Sequence, residues 1–395
     1  MAVGVVKRLA ALAGAVLKNR RGGAPHPAWC TYLVTFRCNA RCGMCDSWRM
    51  KPGSELSAAD AGRVFAKLGR LDVVRITGGE PFLRTDLLEI AEAVTRASRP
   101  GVLHITTNGS LTDRVVELAE RYSAPRRLAF MVSFDGHREE HDANRGKDVT
   151  FDTAMETVRR LAALRKPLGI DVSVNHTVIS AQSLADSHRL RAEFLPRGID
   201  VQSVLAYAES SMYGIKLRGK RAEHLIVPAG YPLHPKLAGA DVVGFVQREL
   251  ARVSGMKSVA RRIGKSYYLR GLLARLQGGA NPMPRPPCVA LRSHVRLLPD
   301  GSVPVCQFNT ETVGNLATQS LEDVWQGAKA RTSRAWVDAC PGCWAECEVM
   351  PSAIYSGDFI ADAARGIAGA VRGMGSHLFS MIRPEESDRI ARETI

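Results

Sequence analysis

Short apolar runs alternate with longer amphipathic segments between about residue 30 and residue 207. The apolar runs have the length and β-branched content of strands and lie at 31–36, 72–77, 102–107, 127–134, 169–179 and 199–207. The segments between them, such as 57–71 and 85–98, repeat apolar residues at helical spacing. Repeated strand–helix units predict an α/β fold with a parallel sheet, because parallel neighbours need long crossover connections.

The six predicted strand–helix units can form a partial barrel or an open, doubly wound sheet. In both architectures the loops after the carboxyl ends of the strands form the ligand site. Beyond about residue 210 the pattern fades into a basic stretch and a Pro-rich linker at 281–287. We therefore predict a basic amphipathic N-terminal helix, a strand–helix domain, a basic helical connector, a small cysteine-rich domain and an amphipathic tail, with bounds 1–27, 28–215, 216–284, 285–355 and 356–395.

The charge balance is strongly basic, since 54 Lys and Arg residues against 39 Asp and Glu residues give a net charge of +15. Such an excess favours anionic partners without choosing among them. No zinc-finger or aromatic RNA-binding motif accompanies it, so nucleic acid is not the favoured partner. No apolar run reaches the ~18 residues of a membrane-spanning helix. The N-terminal segment does not have the charge order of an export signal, which predicts a cytoplasmic protein.

Three cysteines, Cys38, Cys42 and Cys45, directly follow the first predicted strand. The chain holds nine cysteines in two clusters, which favours metal ligation in a reducing compartment over a disulfide framework. Cys30 lies at the other end of that strand, roughly 25 Å away at ~3.3 Å per residue, so it is not a fourth ligand. Three protein ligands indicate a metal centre with an open position, and zinc is the alternative.

The spacing CxxxCxxC immediately after a first strand resembles the radical S-adenosylmethionine (radical SAM) family. The resemblance implies a partial (β/α)6 TIM-like barrel in which Cys38, Cys42 and Cys45 hold a [4Fe–4S] cluster. S-adenosylmethionine (SAM) would be the ligand of the fourth iron. An external donor such as flavodoxin or ferredoxin would supply the electron that cleaves SAM to a 5′-deoxyadenosyl radical, which then abstracts hydrogen from a substrate.

Further motifs of this family match the ends of the next predicted strands, at 77–81, 106–110 and 133–136. Each alone is an ordinary turn sequence, but together they resemble the SAM-binding loops. The resemblance implies that Glu80 binds the methionine ammonium and that an aromatic position near the adenine is filled by Met44. The residues predicted to contact SAM are Met44, Gly78, Gly79, Glu80, Asn108, Ser133 and Asp135, and Asn175 is a further candidate. His137 and His141 are left out as solvated loop residues.

The second cysteine cluster begins with Cys288 and Cys306, which flank a predicted hairpin turning at Asp300-Gly301. Cys340, Cys343 and Cys347 follow, and four thiolates can fill either a zinc or a [4Fe–4S] site. The pattern resembles the SPASM/twitch extension of radical SAM enzymes, which implies one auxiliary [4Fe–4S] cluster. Its predicted ligands are Cys288, Cys306, Cys340 and Cys343, with Cys347 spare or an alternative ligand. Such a closed cluster suits electron transfer in a net oxidation.

The two flanks, 1–20 and 358–382, place apolar residues on one helical face and basic residues beside them. Such helices can lie at a membrane interface or simply pack on the domain. The resulting prediction is a radical SAM enzyme for a lipid-linked or other small anionic substrate, with possible peripheral contact to the inner face of the membrane. A maturase of ribosomal peptides is the alternative in the same family, and a non-catalytic zinc-binding scaffold is the alternative of another class.

Overall fold

The sheet contains seven parallel strands in the order β6-β5-β4-β3-β2-β1-β7. A computed structural model describes residues 2–124, 127–146, 148–208, 213, 230–256, 258–279 and 281–365. The strands are β1 (Trp29–Leu33), β2 (Val73–Thr77), β3 (Val102–Thr107), β4 (Arg127–Phe134), β5 (Asp171–Val178), β6 (Asp200–Leu205) and β7 (His294–Leu297). The first six confirm the predicted units, although β1 begins and ends earlier than the predicted 31–36. Within the described residues β6 and β7 are the two edges, so the sheet is a partial barrel.

Helices connect the strands and cover the outer face of the sheet. Along the barrel they are α1 (Ala2–Arg20), α2 (Ala58–Leu68), α3 (Leu87–Ser98), α4 (Thr112–Arg121), α5 (Arg138–Arg145), α6 (Phe151–Leu168) and α7 (Ala181–Phe194). Side-chain N-caps fix several starts, because the hydroxyls of Ser57, Thr150 and Ser180 accept a backbone N–H of the first turn. The later helices are α8 (Val242–Ser254), α9 (Val259–Leu276), α10 (Leu321–Gln326), α11 (Ala328–Ala339) and α12 (Glu346–Tyr355).

The seventh strand corrects the predicted hairpin around Asp300-Gly301. The turn forms, with Gly301 at φ +85°, but its two arms pair elsewhere. β7 adds in parallel to β1, in register from Trp29 opposite His294. The strand after the turn, β8 (Ser302–Pro304), pairs antiparallel with β9 (Thr312–Asn315). The edge of β1 would otherwise be unpaired and offers β7 a full set of backbone hydrogen bonds. The residues around the turn cannot reveal this alternative partner, because β1 is distant in sequence.

Inward and outward positions alternate sharply along these strands. On β2, Val74 and Ile76 are fully buried against helices, whereas Arg75 faces the barrel interior. On β3, His104 faces inward between the buried Leu103 and Ile105. Parallel sheets covered on both faces usually read as continuous apolar runs. Polar inward positions instead leave the interior hollow, with one cavity of about 370 Å³ at the carboxyl ends of the strands and another of about 500 Å³ towards their amino ends.

The last turn of α1 is attached to the body of the protein. The Nδ2 amide of Asn19 donates to Ser293 Oγ at 2.8 Å and to the Tyr355 carbonyl at 2.9 Å. Arg20 Nε donates to the Ser356 carbonyl at 2.7 Å. In the part of the chain that the structure describes, none of the helices has the length and apolarity to cross a membrane. The predicted amphipathic tail beyond residue 365, and most of 209–229, lie outside the described residues.

Candidate active site

The loop after β1 carries the three cysteines Cys38, Cys42 and Cys45. The Cys45 N–H donates to the Cys42 carbonyl at 3.1 Å, which folds the loop into a turn. The Ala40 N–H points at Cys38 Sγ at 3.4 Å. Burial, reinforced by Asp135 and Cys38 but opposed by Arg145, raises the pKa of Cys42 to about 12. The bare thiols are therefore protonated at neutral pH, and thiolate ligation requires the compensating charge of a metal centre.

Two glycines of the loop after β2 let it dock directly under the cysteine loop. The Gly79 N–H donates to the Thr35 carbonyl and the Glu80 N–H to the Arg37 carbonyl, both at 2.8 Å. A Cβ on Gly78, where φ is +144°, would lie 2.3 Å from the Thr35 oxygen. A Cβ on Gly79 would lie 2.0 Å from the Arg37 oxygen. These glycines therefore permit the contact between two loops, and their predicted contact with SAM stays a prediction.

The carboxylate of Glu80 is buried, at 1% exposure, and joins the loops after β2 and β3. Oε1 accepts the Thr107 hydroxyl at 2.8 Å and the Phe82 N–H at 3.1 Å. Oε2 accepts the Asn108 N–H at 2.7 Å. Burial raises the pKa of Glu80, and these three donors oppose the rise. A carboxylate has about four acceptor sites, so one on Oε2 remains for the predicted ammonium of SAM.

Asn108 also reaches the cysteine loop, through a residue that the sequence did not single out. Its Nδ2 donates to Asn39 Oδ1 at 2.9 Å, and its Oδ1 accepts the Ser110 hydroxyl at 2.7 Å. The Asn39 amide closes the ring by donating to Ser110 Oγ at 2.9 Å. The amide of Asn108 is therefore committed to holding two loops together, and its predicted contact with SAM is untested.

Asp135 is fully buried and paired with Arg145 at the end of α5. Arg145 Nε and Nη2 each donate to one carboxylate oxygen at 2.7 Å. Asn144 Nδ2 donates to Asp135 Oδ2 at 2.7 Å and lies 3.3 Å from Met44 Sδ. The Asn144 carbonyl oxygen accepts the Gly43 N–H at 3.0 Å. Asp135 thus holds the helix end that positions the loop around Met44, and neither Asn144 nor Arg145 was predicted.

The cavity at the carboxyl ends of the strands, called here the central cavity, has a volume of about 370 Å³. Its lining includes Gly78 and Asn175 together with the arginines Arg75 and Arg296. Tyr213 donates its hydroxyl to the Gly78 carbonyl and its ring packs edge-on against Phe36. Ser133 lies on the inward-facing side of β4, opposite Asn175 in the register of β5. Of the residues predicted to contact SAM, Gly78 and the further candidate Asn175 line this cavity, which is large enough for a small molecule.

Four of the five C-terminal cysteines line a much smaller cavity of about 30 Å³, together with Trp336 and Val337 of α11. Its thiol lining is Cys288, Cys306, Cys340 and Cys343. Two of the sulfurs receive backbone N–H groups at 3.4 Å, Cys306 from Phe308 and Cys340 from Gly342. Among the described residues no three His, Cys, Asp or Glu side chains converge on a site for a single ion. Cys347 lies outside this set and lines the central cavity instead.

Family models match both cysteine-bearing regions. The radical SAM superfamily model covers residues 32–190. The model of an iron–sulfur cluster-binding domain, SPASM, covers residues 288–347. The chain belongs to the radical SAM superfamily and carries a SPASM domain. The match spans the three-cysteine loop, all the strand ends described above and the four-cysteine cavity.

Curated relatives of this radical SAM chain differ in how much of it they cover. Fe-coproporphyrin III synthase of Methanosarcina barkeri is 25% identical over 84% of the chain and 86% of its own length. Pre-heme d1 synthase of Dinoroseobacter shibae is 32% identical over 51% of the chain, which spans about half of that relative, 48%. The mycofactocin maturase MftC of Mycobacterium tuberculosis is 33% identical over 41% of the chain and 40% of its own length.

Solved structures share the fold. Streptococcus suis SuiB superposes with a TM-score of 0.56 at 17% identity, covering 82% of this chain and 71% of that one. The structure of anSMEcpe with bound AdoMet gives a TM-score of 0.55 at 16% identity, covering 79% and 83%. Identity at this level shows the fold alone, and it confirms the predicted radical SAM barrel with a C-terminal SPASM domain.

The residues of this radical SAM chain fit the cofactors of its family. Three thiols in one loop suit a SAM-binding [4Fe–4S] cluster with an open iron, and four around one cavity suit a closed auxiliary cluster. The cofactors are therefore a SAM-binding [4Fe–4S] cluster, an auxiliary cluster and SAM. That Cys288, Cys306, Cys340 and Cys343 are the four ligands remains a prediction, which the shared cavity supports.

Buried ionic contacts tie the SPASM part to the barrel. Arg296 on β7 donates to Glu348 on α12 at 2.6 Å, and His294 Nδ1 lies 3.1 Å from the other oxygen. Burial raises the pKa of Glu348, but Arg296 and His294 outweigh it and lower the value to about 2. Arg75 on β2 spans the barrel to Glu346, 3.2 Å away, at the start of α12. None of these partners was predicted, because each pair is distant in sequence.

The two histidines set aside as solvated have different surroundings. His141 is fully buried, with its ring 5.2 Å from that of Phe134 and 5.9 Å from that of Phe151. Burial, together with Arg145, lowers the pKa of His141 to about 3. His137 packs against Phe151 with ring centroids 4.8 Å apart. Their description as solvated was wrong, because the helix after β4 folds both rings back onto the aromatic core.

Proposed function

We propose that this chain is a radical SAM enzyme that abstracts hydrogen from a small anionic substrate held in the central cavity. The cavity itself is the observation that carries the proposal, because Thr77 and Gly78 line it together with two arginines, Arg75 and Arg296. The bound cluster and SAM supply the 5′-deoxyadenosyl radical. The chain supplies the site, the orientation of the substrate and the exclusion of water.

Two buried donors at the central cavity support an anionic substrate, beside arginines that are already paired with glutamates, Arg75 with Glu346 and Arg296 with Glu348. Arg296 is only 6% exposed, and its Nε has no hydrogen-bond partner among the described residues. The Tyr207 hydroxyl lines the same cavity and also lacks a partner there. Buried donors without acceptors are costly, so a carboxylate or phosphate group of a substrate would complete both. Rings of Tyr231 and Tyr268 add flat apolar surface beside these donors.

The cavity at the amino ends of the strands, called here the lower chamber, supports a substrate with an apolar arm. Its volume is about 500 Å³, and side chains such as Val102, Val172 and Leu269 give it apolar walls. It meets the central cavity at four residues that line both spaces: Arg75, Met131, Tyr268 and Glu346. Arg261 and Lys265 of α9 lie on its lining. The apolar chain of a lipid-linked substrate would reach the lower chamber past the Arg75–Glu346 ion pair, which lies between the two spaces.

Anaerobic reconstitution tests the activity. Protein rebuilt with iron and sulfide and supplied with dithionite and SAM should release 5′-deoxyadenosine, whereas a colourless zinc-loaded protein would contradict the proposal. Cellular extracts, fractionated into lipids and small acids, should raise the rate of release in the fraction that holds the substrate. Arg296→Lys keeps a positive charge beside Glu348 but lacks the Nε donor, so it should weaken that stimulation and leave the basal release in place. Stimulation that is identical in Arg296→Lys would exclude the anionic site.

A second candidate is the maturation of a ribosomally made peptide. It is favoured by the similarity to MftC, a maturase, and by the fold shared with SuiB, which has been crystallised with its precursor peptide. Stimulation by a peptide fraction that protease treatment abolishes would support this candidate. Stimulation by a protease-resistant lipid fraction would exclude it.

The proposal includes an external one-electron donor such as flavodoxin or ferredoxin, and a cytoplasmic location with contact to the inner face of the membrane. Lys18 and Arg20 place positive charge in the last turn of α1, and Leu17 is 51% exposed beside them. Binding of the full chain to anionic phospholipid vesicles at low salt, lost at high salt, would support the contact. Protein that stays in the supernatant at low salt would contradict it.

A further inference from the structure

The fifth C-terminal cysteine is separated from the other four by the start of α12. Cys288, Cys306, Cys340 and Cys343 line the small cavity proposed for the auxiliary cluster, and Cys347 does not. Cys347 is the second residue of α12, and its thiol lies in the lining of the central cavity together with Thr77 and Gly78. One thiol therefore belongs to the lining of the space where the substrate is proposed to bind.

The surroundings of Cys347 hold this thiol in one orientation. Its Sγ donates to Gln307 Oε1, and Arg296 Nη2 lies 3.8 Å from the sulfur. Burial raises the pKa of Cys347 to about 11, with Arg296 opposing the rise, so the group carries its hydrogen at neutral pH.

A second observation concerns the arginine beside the thiol. Arg296, which contacts the thiol, is only 6% exposed and keeps its Nε without a partner among the described residues. A ligand that satisfies this buried donor would lie beside the Cys347 sulfur. The thiol and the bound molecule would then be neighbours.

We propose that Cys347 is a catalytic hydrogen-atom donor that quenches the substrate radical, which rests on the proposed function. In this step the S–H bond of Cys347 breaks, a C–H bond forms on the substrate carbon, and a thiyl radical remains on the sulfur. One electron from the external low-potential donor and one proton from solvent restore the thiol. The reaction then ends without net oxidation of the substrate, contrary to the electron-transfer role expected from the sequence.

Thiol labelling tests the free state of Cys347 without catalysis. Anaerobically reconstituted holoprotein is treated with iodoacetamide, and alkylated cysteines are mapped by mass spectrometry. Cys347 should be alkylated while Cys340 and Cys343 stay protected, and added SAM should slow the alkylation. The variants Cys347→Ala and Cys347→Ser should keep the iron content of the unmodified protein. Protection of Cys347 equal to that of Cys340, or loss of iron in both variants, would make it a cluster ligand and overturn the proposal.

Isotope exchange tests the hydrogen transfer without a known substrate. In D₂O the Cys347 thiol carries deuterium, and in the absence of substrate the 5′-deoxyadenosyl radical can take that atom. With SAM and dithionite alone, 5′-deoxyadenosine from the unmodified protein should contain deuterium. The label should fall at least fivefold in both Cys347 variants, because serine holds its O–H hydrogen too strongly to replace the thiol. Cys30→Ala, at a core cysteine fully buried in β1, should keep the label.

The outcomes separate the two proposals. If no 5′-deoxyadenosine forms in any protein, the proposed function itself fails. If it forms with the same deuterium content in the Cys347 variants as in the unmodified protein, only the donor role fails. Tyr207→Phe removes a cavity hydroxyl that has no partner among the described residues. Loss of the label in this variant but not in the Cys347 variants would assign the donor to tyrosine and overturn the proposed role of the thiol.

Discussion

Asp135 and Arg145 form a two-point ion pair sealed inside the protein, with both N–O distances at 2.7 Å. Their side chains are 0% and 5% exposed. The pair fixes the end of α5, from which Asn144 reaches the backbone and the sulfur of the cysteine loop at Gly43 and Met44. A buried charge that has lost its partner costs about 3–5 kcal/mol. The geometry of the loop therefore depends on an ion pair that touches none of its cysteines.

Asp135→Asn should destabilise the protein by about 3–5 kcal/mol, because it leaves the Arg145 guanidinium buried without a counter-charge. The measurement is the free energy of unfolding of the apoprotein in urea. The control is Arg138→Gln, which is also on α5. It breaks an ion pair with Asp152 of α6 in which both partners are exposed, so its unfolding midpoint should barely move. Equal midpoints for the unmodified protein and Asp135→Asn would contradict this account.

Gly79→Ala should prevent assembly of the first cluster and lower the rate of SAM cleavage at least tenfold, because the new methyl group would lie 2.0 Å from the Arg37 carbonyl oxygen. Iron analysis of the reconstituted protein should show a loss of about four iron atoms per chain, the content of one [4Fe–4S] cluster. The matched control is Gly62→Ala in the interior of α2, because its Cβ would make an ordinary 3.5 Å contact with Ala93 of α3. Full iron in Gly79→Ala would show that the loops tolerate separation.

The double variant Cys340→Ala and Cys343→Ala should also lose about four iron atoms per chain, while still releasing 5′-deoxyadenosine from SAM. The first cluster remains because its three cysteines are on a separate loop. The triple change of Cys38, Cys42 and Cys45 to alanine should lose a similar amount of iron but abolish SAM cleavage. A double variant that holds its full iron content would refute the assignment of these ligands.

His141 makes stability sensitive to mild acid. Burial lowers its pKa from the ordinary value of 6.5 to about 3, so between these values the unfolded chain binds a proton that the folded chain does not. Stability is therefore complete above pH 6.5 and declines as the pH falls. At pH 5 the cost is on the order of 2 kcal/mol. His141→Phe, placed among Phe134 and Phe151, should lose correspondingly less stability between pH 7.5 and pH 5.

Unfolding midpoints at the two pH values check this prediction. The exposed His188→Phe is the control and should show the pH dependence of the unmodified protein. A pH dependence of His141→Phe that matches the unmodified protein would remove His141 as the cause.

Local patterns predicted six strands and both groups of cysteines, because β periodicity and motif spacing are written in neighbouring residues. The turn at Asp300-Gly301 was predicted correctly, but the pairing of the strands on either side was not, since a turn says nothing about a distant edge and only the fold brings β7 beside β1. Pairs such as Asp135–Arg145 and Arg75–Glu346 were missed for the same reason. One signal was present in the sequence: parallel strands that alternate apolar and polar residues, as at Arg75 and His104, indicate a barrel whose interior is hollow.

The parallel addition of β7 to β1 has a consequence for how this protein can be altered. The SPASM part contributes a strand to the barrel sheet, because β7 pairs with β1 from Trp29 opposite His294 to Tyr32 opposite Leu297. It is therefore not a cassette that can be cut off or exchanged at the linker near residue 285, because such a cut strips the barrel of a strand. A chimera or truncation should therefore keep the two iron–sulfur regions together, because the β1–β7 pairing holds them at a fixed spacing.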